Sequence, residues 1–205
     1  MGQLLDKMEA DLVLRGRSKN TRHTYLGCVR RLAAHHGRSP EELGVAEVQA
    51  FLLHLIQQQR VSAQTHQVYA AALRFFYGVT LERPELVPKL PLPRVTRKLV
   101  PVLSGTEVEQ VLAAMTSLRH RAVLTAAYGA GLRISEALAL RICDIDSRRM
   151  ELRVEQGKGG QSRCVPLSQR LLEVLRSYYR LTRPTGTYLF AAEGTEQPLS
   201  RQAVN

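Results

Sequence analysis

The chain has 205 residues, 44% hydrophobic and 23% charged, and its 29 Lys and Arg outweigh 18 Asp and Glu for a formal charge of +11. That composition excludes a disordered chain and leaves room for one large domain or two small ones. The charge favours a polyanionic partner, nucleic acid above all, and says nothing of fold. It is uneven: residues 1–101 carry 15 Lys and Arg against 8 Asp and Glu, and residues 102–205 carry 14 against 10. The first half is the stronger candidate for an electrostatic clamp.

Cys28, Cys143 and Cys164 are far apart and form no CxxC pair, so reduced thiols are expected instead of a disulfide or zinc site. The histidines, His35, His36 and His120 among them, match no ligand spacing. The reading is no metal and no cofactor. No signal-peptide core stands at Met1–Lys7 and no apolar run reaches membrane-spanning length, so a cytoplasmic protein without a membrane partner is expected.

Residues 1–87 read as four helices around one small core. The first runs from about Gln3 to Leu14 with Leu4, Leu5, Met8 and Leu12 on one stripe, and Gly16 ends it. Ser18 or Asn20 caps the second, which carries Tyr25, Leu26, Val29 and Leu32 to about His36. After the break at Gly37–Pro40, a third helix from about Val45 to Gln59 is expected to bury Val48, Phe51, Leu52, Leu55 and Ile56. Ser62 caps a fourth, about Ala63 to Tyr77, with Val68, Ala72, Phe75 and Phe76 inward.

Residues 88–101 change character. Four prolines forbid a continuous helix, and Lys89, Arg94, Arg97 and Lys98 make the segment basic. It reads as an extended linker that also suits a strap laid along a duplex. Beyond it, residues 102–205 begin with a cap at Ser104 and a helix carrying Val108, Val111, Leu112 and Met115. A largely buried helix from Arg119 to Ala130 follows, then a short one from Glu136 to Leu140. Met150–Glu155 and Arg163–Pro166 alternate as paired strands about a Gly157–Gly160 turn, and Ser168–Leu181 returns to helix. Tyr188-Leu189-Phe190 is a short apolar segment.

Two segments carry the chemistry. In Tyr128-Gly129-Ala130-Gly131-Leu132-Arg133-Ile134-Ser135-Glu136, two glycines bracket a turn and an arginine follows directly at a helix start. A guanidinium there offers a permanently charged fork for two phosphate oxygens, with backbone N–H groups near it. Arg133 and Glu136 also stand at the i, i+3 spacing of an ordinary helical ion pair. In the second segment, Gly157-Lys158-Gly159-Gly160, a lysine sits in a glycine-rich turn, either simply exposed or poised as an acid. The P-loop spacing is absent.

These motifs resemble the tyrosine recombinase, or phage integrase, family, in its Xer-like or integron-like branch. Gly131-Leu132-Arg133-Ile134-Ser135-Glu136 matches the family's arginine motif, and Lys158 followed by Arg163-Cys164-Val165-Pro166-Leu167 matches its hairpin. Arg17-Ser18-Lys19-Asn20-Thr21-Arg22-His23-Thr24-Tyr25 resembles the start of its core-binding domain. The resemblance implies a mainly α fold: a four-helix SAM-like core-binding domain at 1–87, a basic linker at 88–101, and an α+β catalytic domain with a small β-hairpin at 102–205.

The resemblance further implies that Arg133 grips the scissile phosphate, that Glu136 supports it, and that Lys158 protonates the leaving 5′-oxygen, with neither ATP nor metal. Lys19, Thr21, Arg22, Gln64, Gln67, Lys89, Arg94, Arg97 and Lys98 become the DNA-contacting candidates. Gln161 stands where another basic residue is common. No His-x-x-Arg follows the hairpin, since the last histidine is His120, and all seven tyrosines lie at or before Tyr188. Tyr178 and Tyr179, in mid-helix, read as packing and surface.

The expectation is therefore an incomplete catalytic domain with no nucleophile of its own. Such a chain binds double-stranded DNA, with other recombinase protomers as further partners, but does not cleave alone. A non-catalytic truncation that regulates or poisons full-length partners stays open beside it. A helix-turn-helix regulator built from residues 1–87 leaves Arg133 and Lys158 idle.

Overall fold

The computed structural model describes residues 2–95, 100–155, 162–192 and 195–204. The chain divides into two compact units, Met1–Leu99 and Val100–Asn205.

In the first unit, α1 (Gly2–Leu14), α2 (Lys19–His36), α3 (Val45–Gln57) and α4 (Ala63–Phe75) enclose one core. Each of α2 and α4 begins where the sequence offers a side-chain acceptor. The Ser18 hydroxyl accepts from the Thr21 N–H, and the Ser62 hydroxyl from the Thr65 N–H, caps that contribute about 1 kcal/mol each. Gly37 closes α2 in the left-handed conformation.

The α3 stripe of Val48, Phe51, Leu52 and Leu55 is buried as its spacing requires. Ile56 is not: it lies at the stripe's edge and is 47% exposed. The fourth helix ends at Phe75, earlier than the periodicity suggests, because Phe76–Thr80 winds into a π-helical turn. That turn buries both Phe76 and Tyr77, and the Tyr77 hydroxyl donates to the Pro40 carbonyl at 2.7 Å.

A 3-10 turn at Pro84–Lys89 follows, and Leu90 is buried in the same core. The start of the segment read as linker is thus pinned to the first unit. Arg74 donates to the carbonyls of Val87 and Leu90, Gln49 to that of Lys89, and Gln67 to that of Pro93. Four prolines leave this stretch poor in internal donors, and these side chains satisfy its carbonyls instead.

The second unit carries α5 (Gly105–Ala114), α6 (Leu118–Gly129), the one-turn α7 (Ile134–Leu138) and α8 (Gln169–Thr182). Its small antiparallel sheet has the order β1 (Ile145–Asp146), β2 (Glu151–Val154), β3 (Arg163–Pro166). Strand β1 has only two residues, too short for alternation to reveal. The β2–β3 register runs from Glu151 opposite Pro166 to Val154 opposite Arg163. Val123, Ala126, Leu138, Leu152, Leu171, Leu175 and Phe190 form the core beneath α7 and the sheet. A mainly α fold with a small β-sheet, as the sequence implies, is what the structure has. Within the described residues no helix is long and apolar enough to cross a membrane.

Candidate active site

Arg133 owes its place to the turn before it. Helix α6 ends at Gly129, and of the turn's two glycines only Gly131 takes the left-handed conformation, at φ +61°. Gly129 stays helical, and a Cβ there would touch Leu171 at 3.6 Å, so the two glycines serve different ends. Leu132 then turns into the core and Arg133, in extended backbone, caps α7. Its side chain is 55% exposed.

The arginine does not stand alone. The Glu136 side chain, only 6% exposed, accepts from the Arg133 backbone N–H at 2.8 Å and from its Nη1 at 2.7 Å. The helical i, i+3 pair is therefore real, and it consumes the backbone N–H that the sequence had offered to an anion.

Arg163, the first residue of β3, completes the cluster. Its Nη1 and Nη2 donate to the two oxygens of Glu136 at 2.9 and 2.7 Å. This two-pronged bond, with the Arg133 hydrogen bonds, outweighs the effect of burial and holds the Glu136 carboxyl down at about 2. Glu136 in turn raises the Arg163 guanidinium. Two cations share one anion, leaving a net positive charge with Arg133 as its exposed face.

A second ion cluster lies next to the first. Arg141 donates from Nε and Nη2 to the buried Asp144 at 3.1 and 3.0 Å, and pairs with Glu155 at the end of β2. Both partners raise its basicity, Asp144 foremost. Glu136, Arg141, Glu155, Ser135 and Tyr188 line a polar cleft of about 270 Å³. Lys158 lies outside the described residues, between Glu155 and Arg163 in sequence. Neither Arg163 nor Arg141 stood out in the sequence as a site residue. No local signal in the sequence sets Arg163 beside Glu136; the folded sheet, in which it stands opposite Val154, does so.

The candidate DNA-contacting residues of the first unit fall into two groups. Lys19, Gln64, Lys89 and Arg94 are exposed. Thr21 is half-buried, its hydroxyl 3.0 Å from that of Ser18, and the Arg22 side chain, 20% exposed, donates to Glu9 at 3.4 Å across α1 and α2. Gln67 is half-buried and engaged with Pro93. Arg97 and Lys98 lie outside the described residues.

Comparison with known proteins decides the family. Residues 101–205 match the phage integrase family and residues 4–85 the phage integrase N-terminal SAM-like domain. The chain belongs to the phage integrase family.

Among its relatives, the putative integrase/recombinase y4qK of Sinorhizobium fredii is 43% identical over all of this chain. The tyrosine recombinase XerA of Thermococcus onnurineus is 30% identical over 96% of the chain and 68% of its own length. A lambda integrase dimer bound to a COC′ core site shares the fold, with a TM-score of 0.74 at 20% identity over all of this chain and 74% of that one. The chain spans 66%, 64% and 52% of the length of three integrase/recombinase relatives.

Proposed function

We propose that this chain binds duplex DNA as a site-specific recombinase does and supplies Arg133, Glu136 and Lys158 to strand cleavage and rejoining. Arg133 takes two non-bridging oxygens of the scissile phosphate, and its fixed charge stabilises the extra negative charge of the transition state. Glu136 orients Arg133. A tyrosine hydroxyl releases its proton to solvent as its oxygen attacks phosphorus, the P–O5′ bond breaks, and the departing 5′-oxygen takes a proton from the Lys158 ammonium. The phosphotyrosine bond at the 3′ end keeps the energy needed for rejoining, so neither ATP nor metal enters.

One observation carries this reading: an exposed guanidinium on a glycine-built turn, anchored to a buried carboxylate, in a chain of charge +11. The lambda integrase relatives of like fold include a tetramer bound to a Holliday junction, which supports DNA and further protomers as partners here. In the first unit, Lys19, Thr21, Arg22, Gln64 and Gln67 are the proposed contacts. Lys89, Arg94, Arg97 and Lys98 form the proposed strap. None of the seven tyrosines is assigned as nucleophile. Tyr178 packs on Phe190 in the core, and Tyr179 lines an apolar cleft beside Leu175.

The test uses the purified 205-residue chain with end-labelled duplexes, read by anisotropy across a salt series and by denaturing gel. Binding that weakens steeply with salt, with no protein–DNA adduct, is expected. Absence of salt-sensitive binding would sink the DNA reading. An adduct that survives denaturation would overturn the prediction that these 205 residues do not cleave by themselves.

A further inference from the structure

Glu136 binds two arginines that do not bind it alike. Arg163 engages both carboxylate oxygens with both terminal nitrogens, whereas Arg133 reaches one oxygen with Nη1 and the other only through its backbone N–H. A carboxylate this buried needs a cationic partner, because an unpaired buried charge is strongly unfavourable. With Arg163 present that need is met from β3. Without it, Arg133 is the cation already bonded to Glu136. Its fork would be drawn onto the carboxylate and its charge spent there.

We propose that Arg163 is a positioning residue for Arg133: by saturating the Glu136 carboxylate it leaves the outer edge of the Arg133 guanidinium, and one net positive charge, available to a phosphate group of DNA. This rests on the reading of Arg133 as the phosphate ligand. Burial and exposure agree with the division of labour. The Arg163 side chain is 36% exposed and the Arg133 side chain 55%. The purely structural alternative is that Arg163 only ties β3 to α7. The two differ in sign when the carboxylate charge is removed. If Arg163 acts by neutralising Glu136, taking away both charges together restores Arg133. If it acts only as a tie, taking away both leaves the damage in place.

The experiment uses the full chain labelled with 15N at arginine, titrated with inorganic phosphate, and follows the Arg133 Nε–Hε signal assigned through Arg133→Lys. Saturable movement of that signal is expected in the unaltered chain. Arg163→Met should weaken phosphate affinity at Arg133 by about tenfold or more, the scale of a lost charge-assisted bond. Adding Glu136→Gln to Arg163→Met removes the buried charge but keeps an amide oxygen to accept from the Arg133 backbone N–H, and should recover at least about threefold of the lost affinity. Arg163→Lys, which keeps the charge without the fork, should fall between.

An Arg163→Met chain that binds phosphate normally, or a double variant as weak as the single, overturns the proposal. Thermal melts accompany each variant; if Arg163→Met alone does not fold, the double variant decides, with phosphate affinity about tenfold or more below that of the unaltered chain overturning the proposal. A folded, unaltered chain whose Arg133 signal ignores phosphate instead refutes the reading of Arg133 as the phosphate ligand. A responsive Arg133 that is indifferent to Arg163 refutes this inference alone.

Discussion

Arg163 and Glu136, 27 residues apart in sequence, share two hydrogen bonds of 2.9 and 2.7 Å that bind the sheet of the second unit to the turn carrying Arg133. The consequence is a glutamate that stays ionised far into acid. Its folded-state carboxyl, near 2, lies below its ordinary 4.5, so the native state holds fewer protons than the unfolded one between these values. The stabilisation is fully present above about pH 4.5 and drains away as pH falls toward 2. Glu136→Gln should destabilise the second unit at pH 7 by roughly 1.5–3 kcal/mol, the range for bonds to charged groups. The difference from the unaltered chain should shrink steadily below about pH 4.5 in denaturant melts. A gap that is the same in acid as at neutral pH would contradict the ion-pair account.

Two glycines are required for different reasons, and substitution separates them. A Cβ on Gly78, in the π-helical turn, would stand 2.6 Å from the Val87 Cγ2, so the close approach of the 3-10 turn at Pro84–Lys89 leaves no room for a methyl group. Gly78→Ala should cost about 1–3 kcal/mol through overpacking. Val87→Ala in the same chain should recover part of that loss. Gly131 has open space but a φ of +61°. Gly131→Ala should cost roughly 1 kcal/mol from conformation alone, and no neighbouring truncation should relieve it. Denaturant melts of the two single variants and the Gly78→Ala/Val87→Ala pair check both accounts.

Replacing Lys89, Arg94, Arg97 and Lys98 together by Ala should weaken duplex binding for every sequence tested. The slope of log affinity against log salt should flatten by about 0.9 for each phosphate that is no longer neutralised. The melting temperature should hardly change, since Lys89 and Arg94 are exposed and Lys89 is held through its carbonyl, which accepts from Gln49. Arg133→Ala should change bulk affinity much less. Equal losses from the two sets would place Arg133 in general binding and not at a reacting phosphate.

The helices were legible because each signal was local: apolar spacing for α1 to α4, and Ser18, Ser62 and Ser104 as caps. So was half of the site, for Arg133 and Glu136 lie three residues apart on one turn. What escaped depends on partners distant in sequence. Arg163 meets Glu136 only once the sheet is in register. The π-helical turn at Phe76–Thr80 buries Tyr77, whose hydroxyl donates to the distant Pro40 carbonyl, a partner that no periodicity within α4 announces. The apolar stripe of α5 shows the limit from the other side: its spacing is helical, yet the second unit buries none of its residues.

Gln64 and Gln67 looked equivalent in sequence, both near the start of α4 and both suited to base edges. The structure separates them. Gln64 is exposed, whereas the Gln67 amide donates to the Pro93 carbonyl at 3.2 Å and so holds the proline-rich segment to the first unit. Gln67→Ala should therefore lower stability by about 0.5–1.5 kcal/mol, one ordinary hydrogen bond, and weaken DNA binding uniformly by loosening the strap. Gln64→Ala should leave the melting temperature unchanged. If Gln64 reads a base, its loss should cost about 1–3 kcal/mol on a preferred site selected from random duplexes and nothing on unrelated sequence. Binding measured for both variants on both kinds of duplex checks this. A sequence-dependent loss from Gln67→Ala, with Gln64→Ala silent everywhere, would reverse the two assignments.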